Sequence, residues 1–265
     1  ASNQWNFSYG GNYKDMVFFG GGIGIASLRY KSEKIFDEAF ESDTLQALQL
    51  TVNLEIRGTG VNATFGAIVR PVNFLQFGVS YTTPTWYSLS ENYEASMWSR
   101  WNNFDYYGDG EVILGDNSRT PEETDLLVSD YSFTAPSRLR GGVTFLSEYG
   151  FITADVEMLN PSKAKYRSRD NSISFNPDNE TIREVYQSAI NYRIGAEFRK
   201  DIFRVRAGYG VQGNTLSDQM DADNSVTSVS GGLGVRTKTF YVDLAIVHSK
   251  GKEYRYHPYT FSDGS

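Results

Sequence analysis

The stretch that decides the fold is Leu48-Gln-Leu50-Thr-Val52-Asn-Leu54-Glu-Ile56-Arg57, followed by Gly58-Thr-Gly60-Val61-Asn-Ala63-Thr-Phe65-Gly-Ala67-Ile-Val69. Its first half is apolar at every second position, and its second half is too, but in the opposite phase. A period of two is typical of a β-strand with one apolar and one polar face, because successive side chains point to opposite sides. A change of phase at glycines indicates a β-bulge. We therefore predict a long strand with a bulge at Gly58 and Gly60, returning after a short turn as residues 75–81.

The same alternation recurs along the chain and predicts ten antiparallel strands. The remaining alternating segments are residues 5–9, 16–30, 138–145, 152–158, 190–198, 203–211, 229–235 and 240–246. Five tight turns join them in pairs, and longer connections lie at the other ends. This arrangement predicts an all-β, up-and-down antiparallel meander forming one β-barrel domain over residues 1–265.

Two of the connections carry features of their own. The apolar positions of residues 31–46 predict a short amphipathic helix within a loop. Residues 83–130 show no sustained periodicity, so we expect a long loop there, and long loops on one side are normal for outer-membrane barrels. Five aromatic residues of that stretch are predicted to form a surface that captures apolar molecules: Trp86, Trp98, Trp101, Tyr106 and Tyr107.

Composition excludes several classes of protein. The 265 residues have a net charge of -7, which argues against a nucleic-acid partner because the sequence shows no basic stripe that would neutralise a phosphate backbone. With no cysteine, the chain holds neither disulfides nor thiolate metal sites. The sequence contains no run of about 18 apolar residues, which a transmembrane helix would need. Mean hydropathy of -0.43 still fits a transmembrane barrel, whose strands alternate and average out as mildly polar.

The polar faces of the strands distinguish a membrane barrel from a soluble one. They are rich in Gly, Ser, Thr and Arg, whereas lysines cluster in turns and loops. That distribution favours a packed, hydrogen-bonded lumen inside a barrel whose apolar face meets lipid. The residues predicted to line the lumen are Arg138, Arg140, Asp155, Glu157, Arg193, Glu197, Arg204, Arg206, Arg236 and Asp243. Arginine lies within cross-strand reach of acidic residues in this set, which either fill the lumen as ion pairs or line a transport path.

Motifs for catalysis or cofactor binding are weak. Gly208-Tyr-Gly210-Val-Gln-Gly213 matches a dinucleotide fingerprint in letters, but that motif needs a helix after the glycines. The histidines, His248 and His257, have no activated serine beside them. We predict no enzyme activity, no cofactor and no metal site.

The ordered series of segments resembles the outer-membrane long-chain fatty-acid transporter family of FadL type, and most of all its Bacteroidetes-like members. The resemblance begins at Gly58-Thr-Gly-Val-Asn-Ala63 and Phe77-Gly-Val-Ser-Tyr-Thr82. It continues through Pro136-Ser-Arg-Leu-Arg-Gly-Gly-Val143, Tyr192-Arg-Ile-Gly-Ala-Glu-Phe198, Val205-Arg-Ala-Gly-Tyr209 and Val242-Asp-Leu-Ala-Ile-Val-His248. It covers essentially the whole chain, although no single motif is diagnostic.

The resemblance implies a fourteen-stranded barrel with an N-terminal hatch. The hatch, the first strands and the closing strand of such a barrel cannot be mapped onto this sequence. We therefore expect the first strand, at Trp5–Tyr9, not to pair with the last, at Tyr241–Val247. It also implies passive transport of small hydrophobic or amphipathic molecules, fatty-acid-like or aromatic, across the cell outer membrane, with lipid as the surrounding partner. The alternative is a structural barrel subunit that scaffolds a larger complex of envelope proteins.

Overall fold

The computed structural model describes residues 1–117, 121–169 and 173–252, which form a single antiparallel sheet with one α-helix. The strands are β1 (Ser2–Tyr13), β2 (Val17–Ala39), β3 (Leu45–Val72), β4 (Leu75–Thr82), β5 (Thr85–Asp105), β6 (Ile113–Asp116), β7 (Glu122–Glu123), β8 (Leu127–Ala135), β9 (Arg138–Ser147), β10 (Gly150–Leu159), β11 (Lys165–Ser168), β12 (Ala189–Lys200), β13 (Phe203–Gln212), β14 (Val226–Arg236) and β15 (Tyr241–Gly251). The helix α1 spans Asn176–Val185, and two 3-10 helices span Pro161–Lys163 and Asp218–Met220. His257 lies outside the described residues.

Three pairs of consecutive strands are long strands interrupted at a proline. β4 and β5 both run along β3 and are separated at Pro84; β8 and β9 run along β5 and β4 and are separated at Pro136. β10 and β11 run along β9 and β8 and are separated at Pro161. Each break falls at a proline because proline has no N–H to donate to a ladder. The three breaks lie side by side on neighbouring strands. With these pairs joined and short β6 and β7 set aside, ten long strands remain, as predicted.

The predicted tight turns are confirmed, and the sheet is not closed. Hairpin turns connect β1 to β2, β3 to β4, β9 to β10, β12 to β13 and β14 to β15. In the part of the chain that the structure describes, β1 pairs only with β2 and β15 only with β14. The expected absence of pairing between the first and last strands is therefore confirmed.

Two local predictions are wrong. Residues 31–46 form no helix, because β2 continues to Ala39 and pairs with β3 up to Ala39 opposite Ala47. The described residues between 83 and 130 are largely strand, with β5 alone extending to Asp105. Both stretches lack clear alternation, but the long ladder of β3 supplies their backbone partners and outweighs local pattern.

The predicted bulge at Gly58 and Gly60 is also wrong. The β2–β3 ladder runs without a register shift from Val17 opposite Val69 to Ala39 opposite Ala47, and β5 is in register past both glycines. The irregularity lies instead in the neighbouring strand: Thr82 pairs with Thr64 and Trp86 with Val61, which leaves one extra residue on the β4–β5 side. There the Thr83 hydroxyl accepts a hydrogen bond from the backbone N–H of Ala63.

Because β3 is unbroken, the change of phase in its sequence reflects a change in the polarity of each face along the strand. Even-numbered residues of β3 lie on one face throughout. That face is apolar from Leu48 to Ile56 and becomes polar or small at Gly58, Gly60 and Asn62. The opposite face is polar from Gln49 to Thr59 and apolar from Val61 to Val69. The sheet thus has an upper part and a lower part of opposite polarity, which meet at the level of the proline breaks.

The face of even-numbered β3 residues is the concave one. Asn62 and Thr64 share it with Ser80 of β4, and a cavity on this side is bounded by β1, β2, β3, β4, β9, β10 and β12. Seven neighbouring strands can enclose one cavity only if the sheet curves around it. The other face is convex, and most of the large exposed apolar side chains of β12 to β15 lie there.

Candidate functional site

The concave face of the lower sheet encloses a cavity of about 940 Å3. Glycines and small polar residues make up much of its lining, but most of the lining surface is apolar, and Phe18 and Ile68 point inward from paired positions on β2 and β3. Asn62, a buried polar residue of the same face, donates a hydrogen bond from its amide to the hydroxyl of Thr85 at 3.1 Å. The space is large enough for a small organic molecule.

All ten charged residues predicted to line the lumen share this concave face. The cross-strand register runs from Arg138 and Arg140 on β9 through Glu157 and Asp155 on β10 to the later strands. Arg140 forms an ion pair with the buried carboxylate of Glu157, which also accepts a hydrogen bond from the Asn191 amide at 2.9 Å. This first cluster lies near the proline breaks.

A second cluster lies near the tight turns and joins three strands that are not all neighbours. The buried carboxylate of Glu197 pairs with Arg199 and with Arg206. Arg206 of β13 also reaches across β14 to Asp243 of β15, with 2.6 Å between Nη1 and Oδ1. Gly234 permits this, because a Cβ there would lie only 2.2 Å from the Asp243 carboxylate.

The other predicted residues lie outside these clusters. Asp155 and Arg193 are cross-strand partners that both border the cavity, and no ion pair joins them in the described part of the chain. Arg204 donates to backbone carbonyls of the turn before it. Arg138 and Arg236 are exposed on the same face, at its upper and lower margins.

The concave face of the upper sheet carries a cluster of aromatic rings that sequence reasoning did not find. Its members are Tyr87, Tyr131, Phe133, Tyr166 and Phe175, with ring centroids from 4.7 to 6.3 Å apart along the chain of contacts. We call this set the aromatic cluster. It continues into the apolar even-numbered residues of β3, which lie on the same face.

Two glycines of the resemblance motif leave room for large side chains of β5 on this face, one of them in the aromatic cluster. A Cβ at Gly60 would lie 2.5 Å from the Tyr87 ring, and one at Gly58 would lie 2.3 Å from Leu89. Leu89 and Tyr131 are among the most buried apolar side chains, at 6% and 5% exposure. The glycines therefore provide close packing between β3 and β5.

Polar contacts fix the aromatic cluster in place. The Asn179 side chain of α1 donates to the Tyr166 carbonyl and accepts from its N–H, so it ties the helix to β11. The Tyr131 hydroxyl donates to the Glu91 carboxylate at 2.8 Å. Burial, and then this bond to Glu91, raises the pKa of Tyr131, so the phenol stays protonated and remains a donor.

The five aromatic residues predicted to form a capture surface are not brought together. Trp86 and Trp98 lie on the convex face of β5, twelve residues apart, which is about 40 Å along a strand. Trp98 donates to the Gln49 side chain, and Trp101 stacks on Phe104. Tyr106 and Tyr107 contact each other edge to face and are exposed.

Trp86 belongs to a different feature, a row across the convex face. Trp5, Ile25, Val61 and Trp86 are successive cross-strand partners on β1, β2, β3 and β5. The two tryptophans are 73% and 54% exposed. Directly above this row, the convex face becomes polar.

The weak motifs show no arrangement for catalysis. Gly208 to Gln212 lie within β13, and no α-helix follows them in the described residues up to 252. His248 and Ser249 are consecutive in β15 and point to opposite faces. Within the described ranges there is no group of His, Cys, Asp and Glu that could hold a metal ion, and no helix that is long and apolar enough to cross a membrane.

Comparison with known proteins gives a structural match alone. No family model and no curated protein matches the sequence. Among solved structures, the Ralstonia pickettii toluene transporter TbuX is similar, with a TM-score of 0.50 and 12% sequence identity. The match covers 95% of this chain and 69% of that one, so the two share a fold.

Proposed function

We propose that this protein is an outer-membrane transporter of FadL type that lets small hydrophobic molecules pass by diffusion. The observation that carries the proposal is the inversion of the two faces along β3. Below Gly60 the convex face is apolar and the concave face is polar, as in a barrel wall within lipid. Above Gly58 the concave face is apolar, as in a wall that stands in water and shelters an apolar interior.

The convex face supports this placement of the membrane. The row from Trp5 to Trp86 ends the apolar band, and tryptophan is enriched where a bilayer meets water. From Val61 to Val72 the strand covers about 36 Å, which a usual barrel tilt reduces to about the 25–30 Å of a hydrocarbon core. The upper sheet then stands outside the cell, and the tight turns face the periplasm.

The aromatic cluster supports a role in capture. A hydrophobic molecule needs apolar contact before it gives up its contact with water, and flat rings offer large area at little entropic cost. The cluster faces the same side as the cavity of about 940 Å3 below it. We propose that substrate binds at the cluster and moves along the concave face of the upper sheet into that cavity. The similar structure is that of a toluene transporter, which supports an aromatic or similarly small apolar substrate.

The ion clusters give the lower lumen its shape. Arg140–Glu157 and the group around Glu197 mutually neutralise most of their charge, so they do not hold a fixed counter-charge against an apolar substrate. Asp155 and Arg193, which border the cavity, are the polar groups that an amphipathic substrate would meet.

Uptake measurements test the proposal. Phe133→Ala removes a ring from the centre of the aromatic cluster, and we expect it to slow uptake of toluene into protein-containing vesicles several-fold. Trp98→Ala is the matched control, because it removes a larger ring from the convex face of the same sheet. Equal uptake by both variants and the parent would refute capture at the cluster. If vesicles that contain the parent protein take up toluene no faster than empty vesicles, the scaffold alternative gains support instead.

A further inference from the structure

The convex face carries a basic patch immediately above the row from Trp5 to Trp86. Arg29 of β2 and Arg57 of β3 are direct cross-strand partners. The next pair on the same face, two positions further along the ladder, is Lys31 with Glu55. Across β5 and β8 the same face continues to Lys165 and Arg167 of β11, opposite Thr134 and Ser132. Arg169 borders the same region. We call Arg29, Lys31, Arg57, Lys165, Arg167 and Arg169 the basic patch.

The arrangement of charge in the patch is unfavourable for the protein alone. Like charges directly opposite each other in a sheet repel, and Arg29 faces Arg57. One carboxylate, Glu55, contacts Arg29 and Arg57 at 2.9 Å each and Lys31 at 3.6 Å. Three cations around one anion leave an excess of positive charge in a protein whose net charge is -7. Their side chains are more than half exposed, so they are open to a ligand.

A cavity in the patch has the lining that a phosphate group needs. It measures about 420 Å3, and Arg29, Arg57 and Arg169 stand at its sides. Thr59, Ser88 and Ser90 contribute hydroxyl groups to its lining. Guanidinium groups bind phosphate through paired, charge-assisted hydrogen bonds, and hydroxyl groups can donate to its remaining oxygens. Among the residues that the structure describes, Asp130 is the acidic one that borders this cavity.

The height of the patch brings its side chains within reach of lipid headgroups. Arg57 lies four residues above Val61 of the tryptophan row, which is about 13 Å along the strand and about 10 Å along the membrane normal at a usual barrel tilt. Headgroups occupy about 5–8 Å beyond the hydrocarbon core on each side. A long basic side chain that points back towards the bilayer therefore reaches the level where phosphates are found.

We propose that the basic patch binds the phosphate groups of anionic lipid headgroups in the outer layer of the membrane. The inference rests on the membrane placement proposed above. The binding site is formed by the Arg29–Arg57 pair on one side and Arg169 on the other, with the hydroxyl groups and the Asp130 carboxylate between them. Such a lipid would neutralise the excess charge that Glu55 leaves.

Lipid binding by charge-matched variants tests this. The intact protein in neutral detergent is titrated with phosphatidic acid, and bound lipid is counted by native mass spectrometry. Arg29→Gln with Arg57→Gln should weaken binding at least about tenfold, because each lost charge-assisted bond is worth that much or more. The control, Lys34→Gln with Arg100→Gln, removes two charges from the same upper sheet outside the patch and should leave binding unchanged.

A second variant reverses the sign. Glu55→Gln removes the anion that competes for the three cations, so phosphatidic acid should bind more tightly and with a steeper salt dependence. Equal lipid binding by the parent, the double arginine variant and Glu55→Gln would overturn the proposal. Inorganic phosphate is titrated in parallel: if it displaces the lipid at similar concentration, the site takes free phosphate and the lipid assignment is refuted.

Labelling separates this inference from the proposed function. Val61→Cys lies just below the patch and should react with a maleimide confined to the bilayer. If it does not, the membrane placement itself fails. If it does, and the arginine variants still bind lipid as the parent does, only the headgroup site is refuted.

Discussion

Ala207→Arg tests whether the convex face of the lower sheet lies in lipid. Ala207 is on the convex face of β13, opposite in direction to Arg206, and it pairs with Ala196 and Gly231. It is four residues from both Phe203 and Val211, so about 13 Å of strand separates it from either end of the apolar segment. If that face lies in lipid as proposed, an arginine there brings its charge to near the middle of the bilayer.

The expected cost follows from that depth. Arginine at the midplane of a barrel's lipid face costs about 2–4 kcal/mol, which lowers the ratio of folded to unfolded protein about 30- to 1000-fold. With a urea slope of about 2 kcal/mol per molar, the unfolding midpoint should fall by about 1–2 M.

Urea unfolding in phosphatidylcholine vesicles, followed by tryptophan fluorescence, measures this shift. Asn53→Arg is the control: Asn53 is exposed on the convex face of the upper sheet, between Glu33 and Glu94 on neighbouring strands. Its free energy of unfolding should change by no more than about 0.5 kcal/mol. Equal costs for the two arginines would refute the inversion of the faces.

Three further predictions concern packing, orientation and pH. Gly60→Leu should destabilise the upper sheet by about 1–3 kcal/mol in the same urea assay, because its side chain would collide with the Tyr87 ring, whereas Gly115→Leu, which meets nothing within 4 Å, should cost less. Single cysteines at Val205 and Ala207 should react with a bilayer-confined maleimide while Arg206→Cys should not; the reverse order would place β13 inside out. Arg57, with Arg29 and Lys31, lowers the pKa of Glu55 to about 2 from an ordinary 4.5, so this carboxylate contributes stability above pH 4.5 that is lost as pH falls towards 2. The Glu55→Gln variant should therefore lose less stability than the parent between pH 5 and pH 2, as read from unfolding midpoints. An unchanged pH profile would contradict this prediction.

Sequence alternation predicted the lower sheet well because each strand there has one apolar and one polar face. The ten strands, the tight turns and the common face of the ten charged residues all follow from that period of two. The wall above Gly60 could not be predicted in this way. In β5, Glu91 lies on the mostly apolar face and Trp98 on the mostly polar one, so the alternation is blurred.

The change of phase in β3 was visible in the sequence, and its cause was misread. A bulge and an inversion of the environment produce the same pattern in a single strand. They differ in the partner strand, where the true bulge lies beside Pro84. The aromatic cluster was missed for a related reason: Tyr87, Tyr131 and Tyr166 belong to three strands, and only the register brings them together.

The bond from Arg206 across β14 to Asp243 fixes the alignment of the outermost strand. Within the described residues β15 pairs with one neighbour along its length, and its apolar residues alternate so regularly that a slide of two positions would still match the faces. Such a slide would carry Asp243 about 7 Å along the strand and out of reach of Arg206. It would also set a different residue against Gly234, the position that leaves room for the carboxylate. One guanidinium therefore distinguishes the correct pairing of the last hairpin from a slipped one that hydrophobicity alone would accept.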